Sequence, residues 1–154
     1  MSRSKTKLLI ASLKSIYDGP AWHGPAIKEV LAKIEVAAML KSTEKSHNIV
    51  ELVNHMTAWR NYAIKKLEGE DSYEVSDAEN FSSISSKDPD IWQKAISDLE
   101  FSQNRLLDLL SEVEDEKLKE IVAGREYSYY FLIEGLINHD VYHLGQIVLL
   151  NQLD

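Results

Sequence analysis

Two histidines lie four residues apart inside the apolar run INHDVYHLGQIVLL at residues 137–150. At about 100° of rotation per residue, His143 lies about 40° from His139 on a helix, so the two side chains are one turn apart on one face. The apolar residues near that face are Leu132, Leu136, Ile147 and Leu150. Two imidazoles at this spacing can bind one metal ion, but a buried histidine is also common as a hydrogen-bonded core residue. The pair alone leaves both interpretations open.

A third histidine, His55, is predicted on the inward face of another long helix, where Leu52 and Trp59 lie within about 60° of it. Three neutral imidazoles in a core would need several polar partners, because an unsatisfied buried polar group costs on the order of 1–3 kcal/mol. A divalent cation satisfies all three together, and three histidines with open positions for water form a known catalytic zinc arrangement. The spacing therefore favours a metal site made of His55, His139 and His143.

The string HDVYH is similar to the zinc-protease motif H-E-x-x-H, with Asp140 in place of the glutamate. One class of these proteases requires a third histidine in a following G-x-x-H, and this chain has Leu149 at that position. Asp140 is also rotated about 100° from His139 on the helix. The surrounding residues therefore argue against a protease.

The elements that position the histidines are predicted to be helical almost throughout, because Gly and Pro are few and apolar residues recur at helical spacing. Helices are expected at about 5–17, over a short stretch after Pro25, and at about 48–67, 89–113 and 128–151. Segment 69–88 contains six acids and six serines and is predicted to be a solvated surface linker. Only REYSYYF hints at a strand. Four main helices with long connections predict an all-α four-helix bundle, with residues 1–154 forming one domain.

The composition of the chain argues against nucleic acid as a partner, against cysteine ligands for a metal and against a membrane-spanning segment. The 154 residues carry a net charge of -8 with a pI of about 5.1, and no basic patch is present, so nucleic acid is not expected as a partner. The chain contains no cysteine, so a metal would have to be held by nitrogen and oxygen. No apolar run approaches the roughly 20 residues needed to span a bilayer, so we expect a cytoplasmic protein without membrane contact.

Two further polar residues share faces with the histidines. Glu51 lies one turn before His55, and Gln146 lies three residues after His143. Either side chain could orient a metal-binding histidine by a hydrogen bond to that histidine's second ring nitrogen, or could bind a water on the metal. Glu51 is the best candidate for a general base, whereas Gln146 could equally be a polar residue that closes the end of the bundle.

Three more residues are candidates for the wall of a substrate pocket. His47 precedes a long helix, where a capping or surface role is the simpler interpretation and a pocket-lining role the alternative. His23 is expected in a turn packed by Trp22, and both residues are also candidates for the rim of a pocket. Trp59 and Trp92 are expected in the core.

The strings HNIVELVNHMTAW and GLINHDVYHLGQIVLL resemble the DinB-like (YfiT-like) superfamily of metal-dependent enzymes, and YDGPAWHGPAIKEVLAKI is similar to the first-helix region of its members. The resemblance implies an up-down-down-up bundle and a metal, often zinc or nickel, held by one histidine of the second bundle helix and two of the last. By position these are His55, His139 and His143. Relatives include transferases and isomerases that use a low-molecular-weight thiol, namely bacillithiol, mycothiol or glutathione, and many members of unknown activity.

These observations lead to one main hypothesis and two alternatives. The main hypothesis is a metal-dependent enzyme with a small-molecule substrate, a hydrolase or a thiol-dependent transferase, in which three neutral ligands leave the ion able to acidify a water or a thiol. The alternatives are a non-catalytic stress-response or sensor protein that binds a metal or small ligand, and a structural dimer with a vestigial site. A homodimer is expected because the last helix carries a second apolar face, formed by Ile133, Ile137, Leu144 and Val148.

Overall fold

The computed structural model describes residues 4–153, and these residues form an all-α structure. In chain order, its α-helices are α1 (Lys5–Asp18), α2 (Ile27–Leu31), α3 (Ile49–Leu67), α4 (Asp77–Asn80), α5 (Pro89–Glu112) and α6 (Tyr129–Asn151), with short 3-10 helices at Val36–Ala38 and Lys117–Lys119. The predicted helix positions are confirmed to within one or two residues. Within this range the strand hint at REYSYYF corresponds only to an isolated bridge between Ile121 and Ser128.

The three longest helices begin at residues that can be recognised in the sequence. Asn48 accepts a hydrogen bond from the backbone of Glu51, whose carboxylate accepts one from the backbone of Asn48, and this capping box starts α3. Asp88 caps α5, with Pro89 in its first turn, and the Ser128 side chain caps α6. These caps set the ends of the helices that carry the histidines.

The apolar side chains of α1, α3, α5 and α6 gather into two clusters. Members of the first cluster are Ile16, Tyr17, Ile49, Met56, Trp92, Leu99, Leu144 and Leu150. Members of the second are Leu9, Leu13, Ala63, Ile64, Leu106, Leu110, Tyr129 and Leu136. Along α3, α5 and α6, the buried polar residues Arg60, Gln103 and Asp140 fall between the residues of the two clusters. A polar layer therefore separates two apolar layers near the middle of the long helices.

The second apolar face of α6 is largely packed against other parts of the chain. Ile133 and Leu144 are buried in the two clusters, and Ile137 and Val148 are half-buried against them. Contacts of α6 with α1, α2 and α3 account for this burial. Most of this face is therefore packed within the chain, and the homodimer stays a prediction. Across residues 4–153, no helix combines the length and apolarity that crossing a bilayer requires.

Segment 69–88 is solvent-exposed over most of its length, as predicted, but it also contains the short helix α4 and contacts α3 at several points. Ser76 and Glu79 form a capping box that starts α4. Further along, the backbone N–H of Ile84 donates to Glu51 Oε1 at 2.8 Å. The Ile84 contact holds the segment against the amino-terminal half of α3, which carries His55.

Candidate metal centre

His55 of α3 meets His139 and His143 of α6. One ring nitrogen from each histidine lies within 4.8 Å of the other two, and the Nε2 atoms of His55 and His139 are 2.9 Å apart. His55 and His143 are buried, whereas the side chain of His139 is 25% exposed. The histidines predicted from two separate helices therefore form one compact cluster that solvent reaches at His139.

The orientation of His55 is set by segment 69–88. His55 Nδ1 lies 3.0 Å from the backbone carbonyl of Asn80, which can only accept, so Nδ1 carries the proton. The His55 ring stacks on Phe81, with ring centroids 4.0 Å apart and planes within 7°. His47 stacks on the other face of Phe81 at 3.7 Å. His55 is thus held on one edge and one face, and its Nε2 is directed at the Nε2 of His139.

His143 is oriented in the same way by a side chain of its own helix. Its Nδ1 donates to Gln146 Oε1 at 2.6 Å, so Nε2 is again the nitrogen that carries a lone pair. A hydrogen bond to the second nitrogen is typical of metal-bound histidines, since it selects the tautomer and the ring orientation. Gln146 thus lies where an orienting residue would be needed.

His139 differs from the other two because its Nδ1 is buried and has no hydrogen-bond partner among residues 4–153. The nearest carboxylate oxygen is Asp140 Oδ1, at 3.9 Å. Asp140 is itself held by Arg60, whose Nη1 donates to Oδ1 at 3.0 Å. The carboxylate next to His139 therefore lies in the polar layer rather than among the ligand atoms.

The electrostatics of the cluster favour neutral imidazoles. Burial lowers the pKa of His55 to about 4, with a further lowering by His139 and His143, while the hydrogen bond to Asn80 acts in the opposite direction. Burial likewise lowers the pKa of His143, and its hydrogen bond to Gln146 partly offsets that effect. Both histidines are therefore uncharged at neutral pH, which is the form that binds metals.

The cluster fits a divalent cation. With His55 and His143 protonated on Nδ1, both present an Nε2 lone pair to the cluster. At the 2.9 Å between the Nε2 atoms of His55 and His139, either a proton on His139 or a shared cation must lie between the two nitrogens. Two nitrogens that share an ion at about 2.0–2.1 Å lie about 2.8–3.4 Å apart, which includes the observed 2.9 Å between His55 and His139. A set of three imidazole nitrogens without thiolates suits a divalent transition metal.

Comparison with models of protein families identifies the family of the chain. A model described as the DinB superfamily matches residues 21–147. The chain belongs to the DinB superfamily. The matched range contains all three histidines of the cluster, so the family resemblance predicted from the sequence is confirmed. No curated protein and no solved structure matches the chain.

In this DinB-superfamily member, the Glu51 carboxylate accepts hydrogen bonds from backbone N–H groups. One carboxylate oxygen accepts from the backbone N–H of Asn48 at 3.1 Å, and the other accepts from that of Ile84 at 2.8 Å. The side chain also lies 3.3 Å from His47 Nδ1. These contacts make Glu51 a cap of α3 and an anchor of segment 69–88. Its role as a general base stays a prediction. These backbone hydrogen bonds count against that role, since the carboxylate would have to give them up to take a proton from a substrate.

The four pocket candidates separate into two pairs. His47 and Gln146 line a cavity of about 340 Å³ together with Phe81 and His143, so the structure brings both to the histidine cluster. Trp22 is fully exposed and does not pack His23 into a turn. His23 lines a different cavity, against Val141, Leu144 and Val148 of α6, which contains none of the three cluster histidines. The structure does not bring Trp22 or His23 to the cluster.

Sequence reasoning missed four residues that shape the centre of this DinB-superfamily chain: Asn80, Phe81, Arg60 and Asp140. The S-x-x-E capping box at Ser76 was a readable sign that a helix precedes Asn80. An arginine on the inward face of α3 and an aspartate within the apolar α6 were a readable sign of a buried pair. The sequence carries no signal that a backbone carbonyl of Asn80 would accept from His55.

Proposed function

We propose that this member of the DinB superfamily is a metal-dependent enzyme in which His55, His139 and His143 hold a divalent cation, zinc or nickel. Its substrate is a small molecule, and its reaction is a hydrolysis or a transfer to or from a thiol. The proposal is carried by one observation. Three imidazoles from two helices converge, and the two buried ones each use Nδ1 for a hydrogen bond that leaves Nε2 for an ion.

The chemistry follows from the charge of the ligands. When bound, a cation held by three neutral imidazoles keeps its full positive charge and lowers the pKa of a water or a thiol that reaches it. Because the chain has no cysteine, the thiol belongs to the substrate or to a low-molecular-weight cofactor. The protein's own residues orient and shield the site: Asn80 and Gln146 hold the imidazoles, and Phe81 covers one face of His55.

We also propose that the four long helices form one domain, an up-down-down-up bundle. Support comes from the order in which each helix contributes to the two apolar clusters. The early residues of α3 and α5 belong to the first cluster and their late residues to the second. The order is reversed in α1 and α6. This arrangement lets a residue late in α6 face one early in α3, as the histidine cluster requires.

Metal analysis tests the proposal directly. The protein, purified without added metal and then reconstituted with zinc or nickel, is expected to bind a stoichiometric ion. His55→Ala, His139→Ala and His143→Ala should each abolish that stoichiometry. His23→Ala is the matched control, since it removes an exposed histidine outside the cluster. Equal metal content in His143→Ala and wild type would overturn the site.

Activity assays separate the enzyme from its alternative. The metal-loaded protein is tested for conjugation of low-molecular-weight thiols with electrophiles, and for hydrolysis of esters and amides. Turnover that disappears in His143→Ala but persists in His23→Ala supports an enzyme. Stoichiometric metal with no turnover in either panel favours the alternative, a non-catalytic protein that binds a metal or small ligand.

A further inference from the structure

The histidine cluster has a second cavity at its other end. This cavity has a volume of about 260 Å³ and is bordered by His139 but not by His143. The cavity at His143, described above, is not bordered by His139. The cluster therefore lies between two separate openings, and a molecule that reaches the cluster from the His139 side meets different walls from one on the His143 side.

Three aromatic side chains form the walls of the cavity at His139. The rings of Tyr127 and Phe131 are tilted by 40° with centroids 5.5 Å apart, and the Trp59 ring lies 6.2 Å from the His139 ring. The Trp59 indole is held in place because its Nε1 donates to Asn80 Oδ1 at 3.1 Å. Trp59, expected in the core, is thus half-buried at a cavity.

The remaining lining residues are uncharged and leave the cavity open to solvent. Leu132 and Leu136 provide the aliphatic part of the wall, and no aspartate, glutamate, lysine or arginine lines it. Phe131 is 60% exposed, so one wall borders solvent. Gly135 of α6 also lines the cavity, and a Cβ added at this position would meet nothing within 4 Å. The absence of a side chain at Gly135 therefore keeps part of this space open.

We infer that this cavity binds a planar aromatic group of the substrate, with the reacting atom next to that group facing His139. This inference rests on the proposed function, which places the ion at the histidine cluster. Aromatic rings prefer tilted and offset contacts with other rings, which the arrangement of Trp59, Tyr127 and Phe131 offers from several sides. An apolar cavity of about 150 Å³ holds benzene, so the larger volume here suits a group of two fused rings. The uncharged lining selects a neutral group, because a charge placed there would lose water without gaining a partner.

Binding of a neutral two-ring probe tests the inference. 2-Naphthol is titrated into the full chain, both as purified and after chelation, and binding is followed by NMR shifts of the protein. Its saturated counterpart, trans-2-decalol, has a similar size without an aromatic face. We expect 2-naphthol to shift signals of Trp59, Tyr127 and Phe131 in both samples, and to bind about tenfold or more tightly than the decalol.

Two glycines of the same helix provide matched variants. Gly135→Leu fills the cavity at His139, whereas Gly145→Leu adds the same side chain next to the cavity that contains His23. Gly135→Leu should weaken the binding of 2-naphthol about tenfold or more, and Gly145→Leu should leave the affinity for 2-naphthol unchanged. Gly135→Ala should give a smaller loss, and it replaces the test if the leucine variant does not fold. Leucine and alanine are both better helix formers than glycine, so neither change opposes α6.

Several results would overturn the inference. They are equal binding of the two probes, equal effects of the two glycine variants, shifts confined to residues away from the cavity, and binding that disappears on chelation. The last result would mean that the hydroxyl contacts the ion only. Metal content is measured in the same samples, so a failed aromatic site with stoichiometric metal is distinguished from a failed metal site.

Discussion

Arg60 of α3 and Asp140 of α6 form an ion pair in which neither side chain is exposed to solvent. Arg60 Nη2 lies 2.8 Å from Asp140 Oδ2, and Nη1 donates to Oδ1 at 3.0 Å. Arg60 Nε also donates to Gln103 Oε1 at 3.3 Å, and Gln103 Nε2 donates to the carbonyl of Leu13 at 3.2 Å. These contacts connect all four long helices at the level of His139, so the polar layer sets how α6 lies against α3.

The first prediction concerns the stability of this pair. Asp140→Leu leaves Arg60 buried without its partner, and Arg60→Met does the same to Asp140. Each single change should lower the free energy of unfolding by about 3–5 kcal/mol, because a lone buried charge remains. The double variant should lose less free energy of unfolding than the two single variants lose together. Urea denaturation measures all three, and strictly additive losses would show that the two side chains do not act as a pair.

The second prediction concerns the hydrogen bond from His143 to Gln146. Gln146→Leu removes the acceptor of the Nδ1 proton and should weaken zinc binding about 10–100-fold, since such partners select tautomer and orientation. Gln146→Glu keeps an acceptor and should bind at least as well as wild type. Gln152→Leu makes the same change at an exposed position near the end of α6 and should have no effect. Competition with a zinc chelator measures the affinities. If Gln146→Leu matched Gln152→Leu, the orienting role would be refuted.

The third prediction concerns Phe81, whose ring is stacked between His47 and His55. Phe81→Ala should destabilise segment 69–88 by about 1–3 kcal/mol, because each aromatic contact contributes about 0.5–1.5 kcal/mol beyond area burial. Hydrogen exchange should therefore become faster in this segment than elsewhere in the chain.

The control for Phe81 is another phenylalanine. Phe101 of α5 is 72% exposed, so Phe101→Ala should change stability by no more than about 0.5 kcal/mol. Zinc affinity should also fall in Phe81→Ala and stay constant in Phe101→Ala, because Phe81 stacks on His55 of the cluster and the exposed Phe101 lies on α5. Unchanged exchange rates at 69–88 in Phe81→Ala would show that the stack does not hold the segment.

The fourth prediction is a pH dependence of the metal-free protein. Burial lowers the pKa of His55 to about 4 in the folded state, whereas an unfolded histidine titrates near 6.5. Between these values the unfolded chain binds a proton that the folded chain does not, so the free energy of unfolding falls as pH decreases from about 6.5 to about 4. The loss from this group is on the order of 3 kcal/mol, and it ends below about pH 4. Burial also lowers the pKa of His143, which likewise reduces the free energy of unfolding as the pH falls.

Denaturation of chelated protein at several pH values measures this slope. His55→Gln should reduce the slope between about pH 6.5 and 4, because glutamine does not titrate. His23→Ala, which changes an exposed histidine, should retain it. An unchanged slope in His55→Gln would mean that other groups cause the acid sensitivity.

Much of the local structure could be predicted from the sequence, because it depends on contacts within a few residues. Helix periodicity placed His139 and His143 on one face of α6 and His55 on the inward face of α3, and the structure has all three there. Capping residues such as Asn48 and Ser128 marked where those helices begin. Rotation about a helix axis follows from residue spacing alone, so these predictions needed no knowledge of the fold.

Other features were decided only by the tertiary structure, because they join residues that are distant in the chain. The 2.9 Å between His55 and His139, the carbonyl of Asn80 at His55, and the ion pair of Arg60 with Asp140 all depend on how helices and segments pack. A backbone carbonyl is present at every residue, so nothing in the letters distinguishes the one that orients a ligand. Packing also covered most of the second apolar face of α6 and placed Trp22 and His23 away from the cluster. The sequence alone determined which side chains each helix presents, and long-range packing determined which of them meet.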